Sequence, residues 1–250
     1  MADPQQADVD EVERLMSLAE TAGAVALPEL TAAELGAVCG GHRVLLDDAA
    51  CWWQAVPDEH ERHDLTAAAL GFLMSRKLIT PPAQETPAGS TEQDDPEPVR
   101  LAPPLALVIA GLQQPVVVVV CGGAKDGAPR MYGIAQQDRP PSAVVVEQPT
   151  GRRAGPFGPV YRYALVSLAR AGQALAGWAA LGGRDEGTPP RTVDIYRHRE
   201  GEGLSRERVE VRPDRDGFRV LHWRRGTQDP AVRCDQHELG RMLTSVLDQR

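Results

Sequence analysis

Apolar positions along this chain follow two spacings, and the switches between them mark its elements. Five valines and a cysteine stand together at 116–121 with no polar break, which predicts a central strand covered on both faces. Residues 130–136 and 143–148 continue as two more strands. Gly122, Gly123 and Gly127 supply turn chemistry at the first break, and Pro140 and Pro141 mark the second. Helical spacing then predicts a helix over 161–181. The same order returns with strands at 193–199, 208–212 and 218–224 and a helix from Asp235 onward. In that last helix Leu239, Met242, Leu243, Val246 and Leu247 fall at i, i+3, i+4, i+7 and i+8, one apolar stripe.

This order predicts an α+β fold. Its central antiparallel sheet is built from two quasi-symmetric βββα-type halves and packed with helices. The N-terminal half spans 11–190 and the C-terminal half 191–250, both within one compact domain behind a disordered tail at 1–10. Ahead of the first strand, Val12, Leu15, Met16 and Ala19 form a short helical stripe. Thr31 and Glu34 have capping-box spacing at the start of a helix that stops at Gly40-Gly41. A short strand is expected at 44–46. Cys51, Trp52 and Trp53 precede a long helix that begins near Pro57, with Leu65, Ala69, Phe72 and Leu73 as its stripe. Residues 81–98 hold five prolines among polar residues and read as a disordered loop. Leu105 to Leu112 reads as a short buried helix entered through Pro103-Pro104.

The strands of the second half alternate where the valine run does not. Val193 and Ile195 point one way and Asp194, Tyr196 and His198 the other, while Val209 and Val211 belong to the core. One sheet face in this half is therefore expected to be wet and rich in Arg, Tyr, His and Trp.

Charge sharpens the contrast between the halves. Residues 1–100 carry 19 acids and 6 bases, net −13, whereas residues 101–250 carry 16 and 21, net +5. The acidic front half argues against nucleic-acid binding. The start is acidic where a secretory signal would be basic and apolar, and prolines cut the one long apolar stretch. A cytoplasmic chain without membrane insertion is expected. The four cysteines are widely spaced, with no CxxC pair, and read as reduced thiols. Lysine is almost wholly replaced by arginine, which suggests a GC-rich genome of the actinobacterial kind.

Candidate chemistry is sparse. Cys39 and His42 pair with His60 and His63 across a gap of 17 residues, ligand types and spacing that suit zinc. The alternative is solvated histidines on the exposed face of a helix, and no metal or other cofactor is assigned. The Gly122–Gly127 stretch lacks the Ser or Thr and the helix of a phosphate loop. Cys234 at a helix start has a cap, Asp235, as its simpler explanation. No catalytic constellation emerges. The arginines of the second half, interleaved with Tyr196, His198, His222 and Trp223, fit either a solvated sheet face or a protein-binding surface. Tyr196, Arg197, Trp223 and Arg224 are the expected partner contacts.

Several segments together resemble one known family. They are Leu30-Thr-Ala-Ala-Glu-Leu35, the helix from Leu65 ending in Ser-Arg-Lys-Leu-Ile79, Val99-Arg-Leu-Ala-Pro-Pro-Leu105, and Leu112-Gln-Gln-Pro-Val116 before the first strand. The chain resembles the EspG family of type VII (ESX) secretion-associated chaperones over about residues 25–250. It departs from the pattern at Lys77-Leu78, where the family commonly has Gly-Leu, and in the Pro-rich insert. The resemblance implies a cytosolic, non-enzymatic adaptor with two quasi-symmetric halves and no metal or cofactor. Such an adaptor holds a secreted PE–PPE-like substrate in solution. The competing expectations are a winged-helix-like transcriptional regulator, from the helix ending in Arg76-Lys77, and a small-molecule enzyme of unrecognised type.

Overall fold

The valine run lies in the middle of an 11-stranded antiparallel sheet, and the rest of the chain is layered around it. The computed structural model describes residues 4–40, 48–81, 99–122, 128–134, 142–181, 189–199 and 203–249. Along the chain come α1 (Pro4–Ala22), β1 (Ala24–Ala26), β2 (Leu30–Thr31), α2 (Ala32–Cys39), α3 (Asp48–Gln54) and α4 (Glu59–Ser75). A two-stranded sheet of β3 (Ile79–Thr80) and β4 (Arg100–Leu101) leads into α5 (Pro103–Gln113). The first large unit is β5 (Pro115–Gly122), β6 (Arg130–Ile134), β7 (Ala143–Arg153), β8 (Pro159–Ser167) and α6 (Leu168–Ala180). The second is β9 (Arg191–Arg199), β10 (Gly203–Asp214), β11 (Gly217–Arg224), β12 (Thr227–Gln228), β13 (Val232–Cys234) and α7 (Gln236–Leu247).

The sheet order is β1-β8-β7-β6-β5-β9-β10-β11-β12, with β2 on β8 and β13 on β11. Each unit therefore runs outward from the centre as a meander, and the two first strands, β5 and β9, pair antiparallel. β12 and β13 both pair with β11, at its two ends, and act together as a broken fourth strand. The first unit thus has four strands before its helix, and the second has three long strands and two short ones, rather than the expected βββα in each.

The extra strand comes from the start of the segment in which helical spacing predicts a helix. Residues 159–167 form β8 and the helix starts only at Leu168. Tyr161, Tyr163 and Leu165 are buried at every second position, the spacing of a strand, and β8 pairs with β7 along its length. A run that also satisfies helical spacing is decided by its neighbours: β7 offers a free edge, and Ser167 caps α6 by accepting from Arg170 N–H. Two further expectations are corrected. α1 begins at Pro4, so most of the expected tail is helical, and residues 48–54 form a helix of their own before Pro57. The expected strand at 44–46 and nearly all of the Pro-rich loop lie outside the described residues.

Two cores flank the sheet. On one face α1, α2 and α5 cover Val118, Tyr132, Val145, Tyr161, Tyr163 and Leu165. On the other, α6 and α7 cover Val117, Val119, Met131, Val144 and Val166 from the first unit and Val193, Ile195, Val209, Val211 and Val220 from the second. Fully burying each such aliphatic side chain contributes about 1.5–3 kcal/mol. The α6–α7 layer spans both units. The α1–α5 layer packs on the first unit, and no helix among the described residues makes more than sparse contact with the same side of β9–β11. That asymmetry leaves one side of β9–β11 free of a described helical layer.

Candidate binding surface

Strand register fixes what the uncovered face presents. Tyr196 on β9 stands opposite Val118 on β5 and Arg206 on β10. The next row is Val120, Asp194, Arg208 and Trp223, and the row after it Gly122, Thr192, Glu210 and Leu221. A last row holds Arg212, Arg219 and Arg233, on β10, β11 and β13. Tyr196, Arg208, Leu221 and Trp223 are half-buried, while Arg206, Arg212, Arg219 and Arg233 are exposed.

Asp194 organises the upper part of this face. It is only 8% exposed, and it accepts from Arg208 Nε at 2.8 Å and Nη2 at 2.9 Å, and from Arg206 Nη2 at 3.0 Å. Burial pushes its carboxyl up, but the hydrogen bonds from Arg208 and Arg206 outweigh that and hold it below the usual range. The Arg206 guanidinium lies 5.6 Å from the Tyr196 ring centroid. The face is thus a pre-ordered mixture of flat aromatic and guanidinium groups, able to bind by apolar contact and by charge-assisted hydrogen bonds.

The opposite face of the same strands is sealed by a buried polar network. Arg197 is 3% exposed, donates to Glu207 at 2.7 Å and also donates to the Val246 carbonyl near the end of α7. The other oxygen of Glu207 meets His222 Nε2 at 3.1 Å, and Arg224 Nε donates to His222 Nδ1 at 3.1 Å. The hydrogen bond from His222 holds the Glu207 carboxyl low against the upward push of burial, helped by the charge of Arg197. This network clamps α7 to the sheet.

The four expected contacts therefore separate. Tyr196 and Trp223 share the open face, while Arg197 is a buried clamp and Arg224 lies on its side of the sheet. The reason is elementary: neighbours within a strand point to opposite faces, so 196 with 197, and 223 with 224, cannot share one. The alternate positions, Arg206, Arg208, Leu221 and Arg219, complete the face instead.

No protein-family model matches this chain, and no curated protein does either.

The zinc candidates among the described residues do not form a group. Cys39 is buried at the end of α2, His60 and His63 lie exposed on α4, and His42 is outside the described residues. Among the described residues no three His, Cys, Asp or Glu side chains are grouped to hold a metal. Cys234 is pushed up by burial and by Glu238 and Asp235, the reverse of an activated thiol, and Asp235 forms a capping box with Glu238. Arg76, at the end of α4, is tied to Glu34 at 2.8 Å and to the Glu29 carbonyl. A cleft of about 560 Å³ lies between α3 and the β7–β8 arm, lined by Trp52, Tyr161, Arg152 and Arg153 among others. Its lining residue Arg152 is taken up by Glu29, whose carboxyl the hydrogen bonds from Arg152 and Arg162 hold low. Among these residues no helix is long and apolar enough to cross a membrane.

Proposed function

We propose that this chain is a non-enzymatic adaptor of the type VII secretion kind, which binds a PE–PPE-like or other ESX substrate and holds it soluble in the cytoplasm. The observation that carries the reading is a sheet of two outward meanders in which no described helix makes more than sparse contact with one side of β9–β11, a side furnished with Tyr196, Trp223 and arginines. Solvent-facing aromatics beside ordered guanidinium groups are the side chains that dominate protein-binding hot spots. A meander on each side of the β5–β9 pair is in keeping with the two halves that the EspG-like motifs imply. The non-enzymatic part rests on how the shifted acids are used: Asp194 and Glu207 are consumed by ion pairs that hold strands and helix together.

The test is co-expression with ESX-type substrate pairs encoded beside this chain's gene. One soluble complex on size exclusion, with the substrate insoluble when expressed alone, is the expected result. A substrate that stays soluble alone and never co-elutes overturns the reading.

A further inference from the structure

The last row of the open face breaks a rule of sheet construction. Arg212, Arg219 and Arg233 stand directly opposite one another on three neighbouring strands. Like charges in that position repel and destabilise a sheet. Two of the three are compensated: Arg212 donates to Glu210 at 2.5 Å and Arg233 meets Asp214 at 3.0 Å. Arg219, the middle one, is exposed and makes no ion pair with any described residue. Along β11 it is followed on the same face by Leu221 and Trp223, each about 7 Å further on at strand spacing. The strand thus offers a cation, an aliphatic group and an aromatic ring in line. The whole face carries five arginines against Asp194, Glu210 and Asp214.

We infer that this end of the sheet binds an acidic segment of a partner protein, with carboxylates on the Arg212–Arg219–Arg233 row and an apolar side chain over Leu221 and Trp223. Charge complementarity selects the occupant. A row of guanidinium forks three strands wide matches carboxylates spaced along an extended or helical segment, each accepting paired N–H donors. The apolar neighbours favour a protein segment over a phosphate chain. The partner's carboxylates remove the repulsion that the free chain carries, so binding recovers stability that the row costs. The inference rests on the reading that the open face is the binding surface, and it specifies the chemistry that the surface selects.

The experiment measures binding of labelled probes to the full chain by fluorescence anisotropy. The probes are a synthetic glutamate–leucine peptide on a glycine–serine background, the same peptide with glutamine or lysine for glutamate, a single-stranded DNA oligonucleotide, and phosphatidylglycerol vesicles. The glutamate peptide is expected to bind best and to weaken with salt. Arg219→Gln should weaken it about ten-fold while leaving the melting temperature unchanged or raised. Glutamine and glutamate peptides binding equally, DNA or vesicles binding more tightly, or a melting temperature lowered by Arg219→Gln would each overturn the inference. A secretion substrate that co-purifies regardless of Arg219→Gln and of salt removes this inference and leaves the adaptor reading standing. An acidic peptide that binds the face when no secretion substrate does has the opposite effect.

Discussion

Gly172 of α6 and Gly240 of α7 meet where the two helices cross, and each is the fifth residue after its helix cap, Ser167 and Asp235. A Cβ on Gly172 would lie 2.5 Å from the Gly240 carbonyl oxygen, which is backbone and cannot step aside. A Cβ on Gly240 would instead meet the end of the Gln173 side chain, which can turn away. Gly172→Ala should therefore destabilise by about 1–3 kcal/mol through overpacking, only partly offset by the better helix propensity of Ala. Gly240→Ala should be close to neutral. Chemical denaturation of both variants checks this, and equal losses would mean that the crossing is looser than described.

Arg197 and Tyr196 are neighbours with opposite duties. Removing Arg197 strands Glu207 in a buried site and frees the end of α7, so Arg197→Ala should cost about 3–5 kcal/mol. Tyr196→Ala takes away a half-exposed ring and should cost far less, yet weaken partner capture. Melting curves beside pull-down separate the two effects. Arg197→Ala with unchanged stability would contradict the clamp.

Glu207 gives the fold an acid limb. Its carboxyl is held below its ordinary 4.5 by His222 against the opposing effect of burial. A depressed carboxyl contributes stability that is fully present above the unfolded value and lost as pH falls through the folded one. Stability should therefore decline from about pH 4.5 downward, and Glu207→Gln should be less stable at neutral pH with a flatter decline. Melting temperatures across that window decide; parallel curves would show that Glu207 does not titrate with unfolding.

Thiol reactivity should rank by burial. Cys51 is exposed, whereas Cys121 is buried and its thiol is pushed up to about 12. Brief alkylation of the folded chain at mildly alkaline pH, read by peptide mass spectrometry, should label Cys51 and spare Cys121. Comparable labelling of both would show that the β5–β9 seam opens readily.

Much of this fold was legible in the residues because it depended on local pattern. The uninterrupted valines announced a central strand, Thr31 and Glu34 a helix start, and the stripe from Leu239 to Leu247 the helix that closes the sheet. β8 was hidden because Tyr161 to Ser167 satisfies both periods, and only the edge of β7, contributed by distant pairing, selects the strand. α3 was missed because Trp52 is fixed by Gly158, whose missing side chain leaves room for the indole, a contact between distant segments. For the site, alternation foretold a wet face but not its membership. Tyr196 was readable as an outward position, whereas the pattern of 218–224 left Trp223 undecided. Arg197 and Arg224 face the other way by strand alternation, and the arginine row needed the register of β10, β11 and β13, which spacing along the chain does not reveal.

Covalent footprinting of the chain with and without a co-expressed substrate tests the central proposal most directly. Oxidation of Tyr196 and Trp223 should fall sharply in the complex while exposed Phe72 on α4 stays as reactive as in the free chain. Unchanged labelling of Tyr196 and Trp223 beside new protection of Phe72 would place the partner elsewhere and contradict the account.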